Sequence, residues 1–263
     1  MDRGRRGWCL RLVGETVMCR AGETRVAAQI GSRKARTLLA VLGLRCGQWV
    51  TVNVLADALW GDRPPRRPVA GVATLVSRLR AGFGQEVVVG AGSGYRLGDA
   101  VRVDVHDAES LLTEAELALR AGEPADGRVA ADRALGLVGG AQVLTDHPAG
   151  EWAEQARRWH AELVRRAWHV AAESALRTGD PERARAVAEI AIAADPLDEA
   201  AYRVLMEAHA AVGEPARAVL AYQRLRAELT DELGIDPAPQ TRDLHLSILR
   251  TGSATELQRP YGC

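Results

Sequence analysis

Thr74, Ser77 and Arg78 are the side chains best placed to do chemistry in this sequence, and what they offer is hydrogen bonding and charge, not catalysis. They lie in Arg66–Gly82, R-R-P-V-A-G-V-A-T-L-V-S-R-L-R-A-G. At 3.6 residues per turn Val72, Leu75, Val76 and Leu79 form one apolar stripe, and Ala70, Thr74, Ser77, Arg78 and Ala81 fall on the opposite face. That outer face carries no acid and no lysine, and most of its side chains are short. Pro68 suits the first turn and Gly82 the stop. A thin face with arginine at its edges can approach a nucleic-acid groove closely, hydrogen-bond base edges and still reach phosphates. Arg80, at the edge, is expected near a phosphate. Arg66 and Arg67 before the helix, Arg33 and Lys34 at the start of an earlier one, and Arg96 on a later hairpin are the electrostatic candidates. The same pattern, taken alone, also describes an ordinary amphipathic surface helix.

Catalytic and metal-binding patterns are missing. There is no G-x-S-x-G, no Walker lysine loop and no H-E-x-x-H. Gly90–Gly94, G-A-G-S-G, lacks the spacing of a dinucleotide loop and no helix follows it. His106, His147, His160, His169, His209 and His245 are scattered. His160 and His169 stand too far apart to share one ion along a straight helix. Cys9, Cys19, Cys46 and Cys263 have no C-x-x-C spacing and read as reduced thiols, with Cys9 and Cys19 able to face each other across a hairpin. Trp152, Trp159 and Trp168 read as core anchors. We expect no enzyme, no cofactor and no metal. The basic first residues are not followed by an apolar stretch, and no run reaches membrane-spanning length, so the expected location is cytoplasmic, with the nucleoid, and no membrane.

The elements that must position these side chains fall into two modules of opposite charge. Residues 1–98 hold 16 Lys and Arg against 6 Asp and Glu, and the rest of the chain holds 18 against 28, so a formal net charge of zero conceals a +10 and a −10 half. In the first module Trp8–Val13, Thr16–Arg20 and Glu23–Ile30 read as a small antiparallel meander. Ser32 caps a helix to about Arg45 with Ala35, Leu38, Leu39 and Leu42 inward. Thr51 caps a second helix with Val54, Leu55, Ala58 and Leu59 inward, ending at Trp60-Gly61. The Arg66–Gly82 helix follows, then a hairpin of Glu86–Val89 and Tyr95–Leu97. A helix pair with a glycine-rich hairpin behind it is a winged helix, whose second helix enters the major groove.

The first module resembles the OmpR-type winged helix of the actinobacterial antibiotic regulatory proteins, the SARP or AfsR-like family. The resemblance rests on L-V-G-E-T-V near the start, L-L-A-V-L-G-L in the first helix, Leu55–Gly61, Val76–Arg80 and Gly92–Leu97, over residues 8–98. It departs at Ala70, Gly71, Ala73 and Leu75, where family members often carry larger polar residues, so base readout is expected to rest on few hydrogen bonds.

The second module reads as helical pairs. G-D-P-E-R-A at Gly179–Ala184 returns as G-E-P-A-R-A at Gly213–Ala218, 34 residues on, and Trp168 and Tyr202 keep the same offset. That is the tetratricopeptide period, and G-E-P-A-D-G at Gly122–Gly127 marks an earlier pair. With D-V-H-D-A-E at Asp104–Glu109 and E-L-G-I-D-P-A-P at Glu232–Pro239, this half resembles the bacterial transcriptional activator domain that follows the winged helix in the same family. The expected fold is mainly α with a small β component: a winged helix over 1–98, a tetratricopeptide-like domain over 99–250, and a disordered tail over 251–263. The resemblance implies a pathway-specific activator of an antibiotic gene cluster. As such it would bind direct repeats of double-stranded DNA as a homodimer and recruit RNA polymerase, including its sigma factor. A helical-repeat scaffold whose winged helix binds protein is the rival reading. The charge split and the acid-free outer face favour DNA.

Overall fold

A computed structural model of the protein describes residues 7–20, 27–28, 30–148 and 150–256, without the side chains of 27–28 and 252–256. The chain divides into two compact units, one built from residues 1–110 and 134–164 and the other from 111–133 and 165–263.

The first unit begins with β1 (Trp8–Arg11), β2 (Val17–Arg20) and β3 (Ala27–Ala28), the antiparallel meander that the alternation predicts. The remainder of the third expected run, at 23–26 and 29, lies outside the described residues. Cys9 and Cys19 are register partners, and burial pushes the Cys9 thiol up to about 11. Ser32 accepts from the Ala35 N–H and starts α1 (Arg33–Leu44), which is buried around most of its circumference. The short β4 (Val50–Thr51) leads into α2 (Val52–Trp60), capped by Thr51. The buried stripe of α2 is Val52, Leu55, Ala56 and Leu59; Val54, expected inward, is 43% exposed, and Ala58 is half-buried. β4 fixes the chain's entry into the helix and so sets its rotation.

Next comes α3 (Pro68–Phe83), which runs past the expected stop at Gly82 and ends at Gly84, whose φ of 105° only glycine adopts readily. The extra residue, Phe83, is buried edge-on against Trp8, whose indole N–H donates to the Phe83 carbonyl at 2.7 Å. β5 (Val88–Ala91) and β6 (Gly94–Leu97) form the hairpin, and β4 adds to it in the order β4-β6-β5.

Two strands escape sequence reading, β4 and one after the wing. β7 (Val101–Val103) pairs in parallel with β1, giving the order β3-β2-β1-β7. It is followed by α4 (Asp104–Ala121), α5 (Pro124–Val138) and α6 (Glu151–Arg177), through which the chain passes between the units. Asp104, 4% exposed, accepts from the backbone N–H groups of Leu12 and Val13 at 3.0 Å and Val105 at 2.8 Å. Burial pushes its carboxyl above the ordinary range, and those N–H groups pull it partly back.

The segment after α5 is stitched to the same sheet. Leu144 N–H donates to Leu12 O at 2.8 Å, Thr145 N–H to Gly14 O at 2.9 Å and Gly14 N–H to Gln142 O at 2.9 Å. Buried His147 meets Thr16 Oγ1 at 2.9 Å, and Asp146 pairs with Arg36 at 2.8 Å. The boundary expected at residue 98 therefore falls inside this unit: the meander is completed by residues that follow it.

In the second unit three helix ends repeat one local solution. Gly122, Gly179 and Gly213 have φ of 82°, 76° and 78°. In each case the glycine N–H bonds three residues back and the next N–H five residues back, as in Glu123 to Ala118, Asp180 to Ala175 and Glu214 to His209. A proline then opens the next helix: α5 after Glu123, α7 (Pro181–Ala194) after Asp180 and α9 (Pro215–Leu233) after Glu214. With α8 (Glu199–Ala211) these are the pairs the 34-residue period predicts, and the earlier pair at Gly122 is present. Tyr202 is fully buried with Ala188, Met206 and Leu225, and Trp168 packs against that cluster. Glu199 accepts from Ala238 N–H at 2.9 Å and Thr241 Oγ1 at 2.6 Å, fixing the start of α10 (Pro239–Glu256). The helix carries through the first residues of the expected tail; 257–263 lie outside the described residues.

Candidate nucleic-acid interface

The face of α3 follows from what its other face buries. Val72, Leu75, Val76, Leu79 and Phe83 are 0–8% exposed, which fixes the helix's rotation and turns Ala70, Ala73, Thr74, Ser77, Arg78 and Ala81 to solvent. Among the positions that depart from the family pattern, Ala70 and Ala73 are exposed, whereas Leu75 is core and Gly71 is a packing residue. A Cβ on Gly71 would come within 2.9 Å of the Trp60 ring, so glycine there lets α2 and α3 approach. Thr74 donates its hydroxyl hydrogen to Ala70 O at 2.8 Å. In that arrangement the lone pairs of Thr74 stay free to accept from a base.

The cations fall into two groups. Arg33, Arg66, Arg67 and Arg78 are exposed and form no ion pair among the described residues. Lys34 sets its ammonium 5.0 Å from the centroid of Trp60, the ring that also covers Gly71. The start of α1 is thereby brought to the first turns of α3, an arrangement that spacing along the chain cannot reveal.

Arg80 and Arg96 are placed otherwise than expected. Arg80, anticipated at a phosphate, directs Nε to Val88 O and a terminal nitrogen to Gly90 O, each at 2.9 Å. It ties the end of α3 to the first strand of the wing, a positioning role. Arg96 forks onto Asp99, at 2.6 and 3.1 Å, and lies 5.8 Å from the centroid of Trp49. The arginine holds the Asp99 carboxyl below its ordinary value, and to meet a phosphate it must give up that partner. Trp49, which sequence reasoning passed over, is 63% exposed beside the wing, and a Cβ on Gly90 would meet its ring at 2.8 Å. Together these residues offer an acid-free helix face with cations at its start, braced against a hairpin, an arrangement able to meet a polyanion.

Comparison with known proteins agrees with both halves. The model of the bacterial transcriptional activator domain matches residues 103–249. The regulatory protein AfsR of Streptomyces griseus is 35% identical over 237 residues, 88% of this chain and 23% of AfsR, so the chain spans about a quarter of that relative's length. The transcriptional regulatory protein MoaR1 of Mycobacterium tuberculosis is 30% identical, over 84% of this chain and 73% of MoaR1. The structure of Mycobacterium tuberculosis EmbR in complex with a low-affinity phosphopeptide superposes with a TM-score of 0.83 at 27% identity, covering 93% of this chain and 65% of EmbR. With its five N-terminal motifs, its repeated helix pairs and these relatives, the chain belongs to the AfsR-like (SARP) family of regulatory proteins that carry the bacterial transcriptional activator domain.

Proposed function

We propose that this protein is a sequence-specific, DNA-binding transcriptional regulator that activates a specialised-metabolite gene cluster and catalyses no reaction. The observation that carries the reading is the solvent face of α3, where Ala70, Ala73, Thr74, Ser77, Arg78 and Ala81 are exposed and no acid intervenes. In the major groove Thr74, Ser77 and Arg78 read base edges, while Arg33, Lys34, Arg66 and Arg67 position the domain on phosphates. Arg80 holds the wing against the helix, and Arg96 reaches the backbone or minor groove once it leaves Asp99.

A single winged helix covers little DNA, so one protomer binds weakly and tolerates many sites. Two protomers on direct repeats about 10–11 base pairs apart place both recognition helices on one face of the duplex. In this reading the helical repeats hold the homodimer on DNA and contact RNA polymerase, including its sigma factor, in the cytoplasm at the nucleoid. The names of the relatives, regulatory proteins throughout, support the regulatory role. The test is footprinting of the full chain on paired repeats. Cooperative protection that is lost when half a helical turn is inserted, and partly restored by a full turn, supports the reading; protection indifferent to spacing refutes the paired arrangement.

A further inference from the structure

The first unit contains a groove of about 1270 Å³, of whose lining the recognition of DNA uses only Arg33 and Lys34. Among the residues that line it are Val41 and Leu44 of α1, Val54 of α2, and Trp152 and Trp159 of α6. Ligand pockets of drug-sized molecules run to about 300–1,000 Å³; this groove is larger, and apolar and polar side chains line it in comparable number. Two features point to an occupant. Trp152 and Trp159 are only half-buried, and each is steadied by an imidazole: His147 at 5.5 Å and His106 at 5.4 Å between ring centroids. They are not the core anchors their sequence suggests, and they offer flat apolar surface. Arg33 and Lys34 also line the groove, at the positive end of α1, whose first turn holds no acid. The acids Asp57, Glu109 and Glu151 also line it, on α2, α4 and α6.

We propose that this groove is a binding site for a flat aromatic anion of low molecular weight, its rings against Trp152 and Trp159 and its acid group at Arg33 and Lys34. Val54 explains itself in these terms: an exposed valine facing the groove is the apolar wall such a ligand needs. The proposal requires nothing of DNA. Under the reading above it has a consequence, because the same two cations serve phosphates, and an anion held there weakens duplex binding.

The full chain is titrated with 8-anilinonaphthalene-1-sulfonate, an aromatic sulfonate whose fluorescence rises on binding, with calorimetry for stoichiometry. We expect one saturable site, weakened at least about tenfold by Lys34→Glu and by Val54→Glu, since a charge of the wrong sign in the site costs at least that much. Both residues are exposed, so the variants keep the fold, checked by circular dichroism. Leu220→Glu, on a 62% exposed leucine of α9, should bind as the parent does. Cys46 also lines the groove, so the probe should slow its alkylation by iodoacetamide, read by peptide mass. Binding that is unsaturable, that survives both groove variants, or that disappears in Leu220→Glu overturns the proposal. These measurements are made without DNA. If the probe binds as described yet leaves duplex affinity unchanged, the site stands and the phosphate role of Arg33 and Lys34 fails.

Discussion

Replacing Asp104 should loosen the winged-helix unit although the residue follows the wing in sequence and its hydrogen bonds go to neither α3 nor the hairpin. Its carboxylate accepts from Leu12, Val13 and Val105, and Leu12 and Val13 are 0% and 8% exposed. In Asp104→Ala those two N–H groups, just past β1, lose their acceptor with little access to water. A buried unsatisfied donor costs about 1–3 kcal/mol, which for two gives about 2–6. Against this stands the relief of a buried charge: the carboxyl is raised above its ordinary value, so desolvation outweighs the hydrogen bonding that favours the charged form. A net loss of about 2–4 kcal/mol is therefore expected. Asp104→Asn keeps one acceptor oxygen and should lose roughly half as much.

The sign of the pH dependence separates the charge from the contacts. A carboxyl raised in the folded state favours the folded protein most below the ordinary carboxylate range, and that contribution is lost as pH rises through the folded value. Asp104→Asn removes this slope. The assay is urea unfolding with hydrogen exchange read on the peptide spanning Leu10–Val13. With a slope of about 1–3 kcal/mol per molar urea, the Ala variant's midpoint should fall by about 1–2 M. The same reasoning predicts that a chain cut at residue 98, lacking β7 and Asp104, is less stable than one that keeps residues 101–110 and 134–164. A change within about 0.5 kcal/mol, the usual range for an uninvolved surface site, would refute it.

Other consequences are independent of that one. Five cations at the interface, Arg33, Lys34, Arg66, Arg67 and Arg78, have no ion pair among the described residues, so log affinity for duplex should fall with log salt at a slope of about −4 to −5. Asp99→Ala, which frees Arg96, should tighten binding to any sequence and steepen that slope by about 0.9; an unchanged slope places Arg96 away from phosphate. Thr74→Val, which keeps shape and removes the acceptor, should narrow the gap between preferred and random DNA by about 1–3 kcal/mol in competition binding, and an intact gap would assign specificity to DNA shape. Burial, with Arg36, Arg33 and Arg157 nearby, depresses His147 despite Asp146, so the folded state holds the neutral ring. Stability should then fall as pH drops below about 6.5, and His147→Gln should flatten that fall in thermal melts at pH 7.5 and 5.5.

What could be read from the sequence was whatever had a local period. The stripe of α3 and the Gly-x-Pro helix junctions were legible because the burial of a helix and the left-handed turn at its end each write themselves into adjacent residues. The phase of α2 was not: V-N-V-L-A-D-A-L-W offers apolar residues on both sides, and β4 decides between them. β7 is three residues paired with a strand near the start of the chain, which leaves no periodic trace. Asp104 reads locally as a helix start, and its acceptor role depends on a sheet edge far away in sequence. Arg80 looked like a phosphate ligand because its partners are backbone carbonyls, which carry no signature in side-chain type. Arg96 had its partner Asp99 three residues on, and there the sequence could have given the answer.

The central claim is that the exposed face of α3 reads duplex DNA, and selection from a random duplex library tests it most directly. The full chain and Arg78→Ala, which leaves the buried face of α3 untouched, are carried through the same rounds and sequenced. The account predicts that the full chain enriches direct repeats spaced about 10–11 base pairs and that Arg78→Ala relaxes or shifts the preferred bases within each repeat. No enrichment over input, or the same enriched sequence from both proteins, would contradict it.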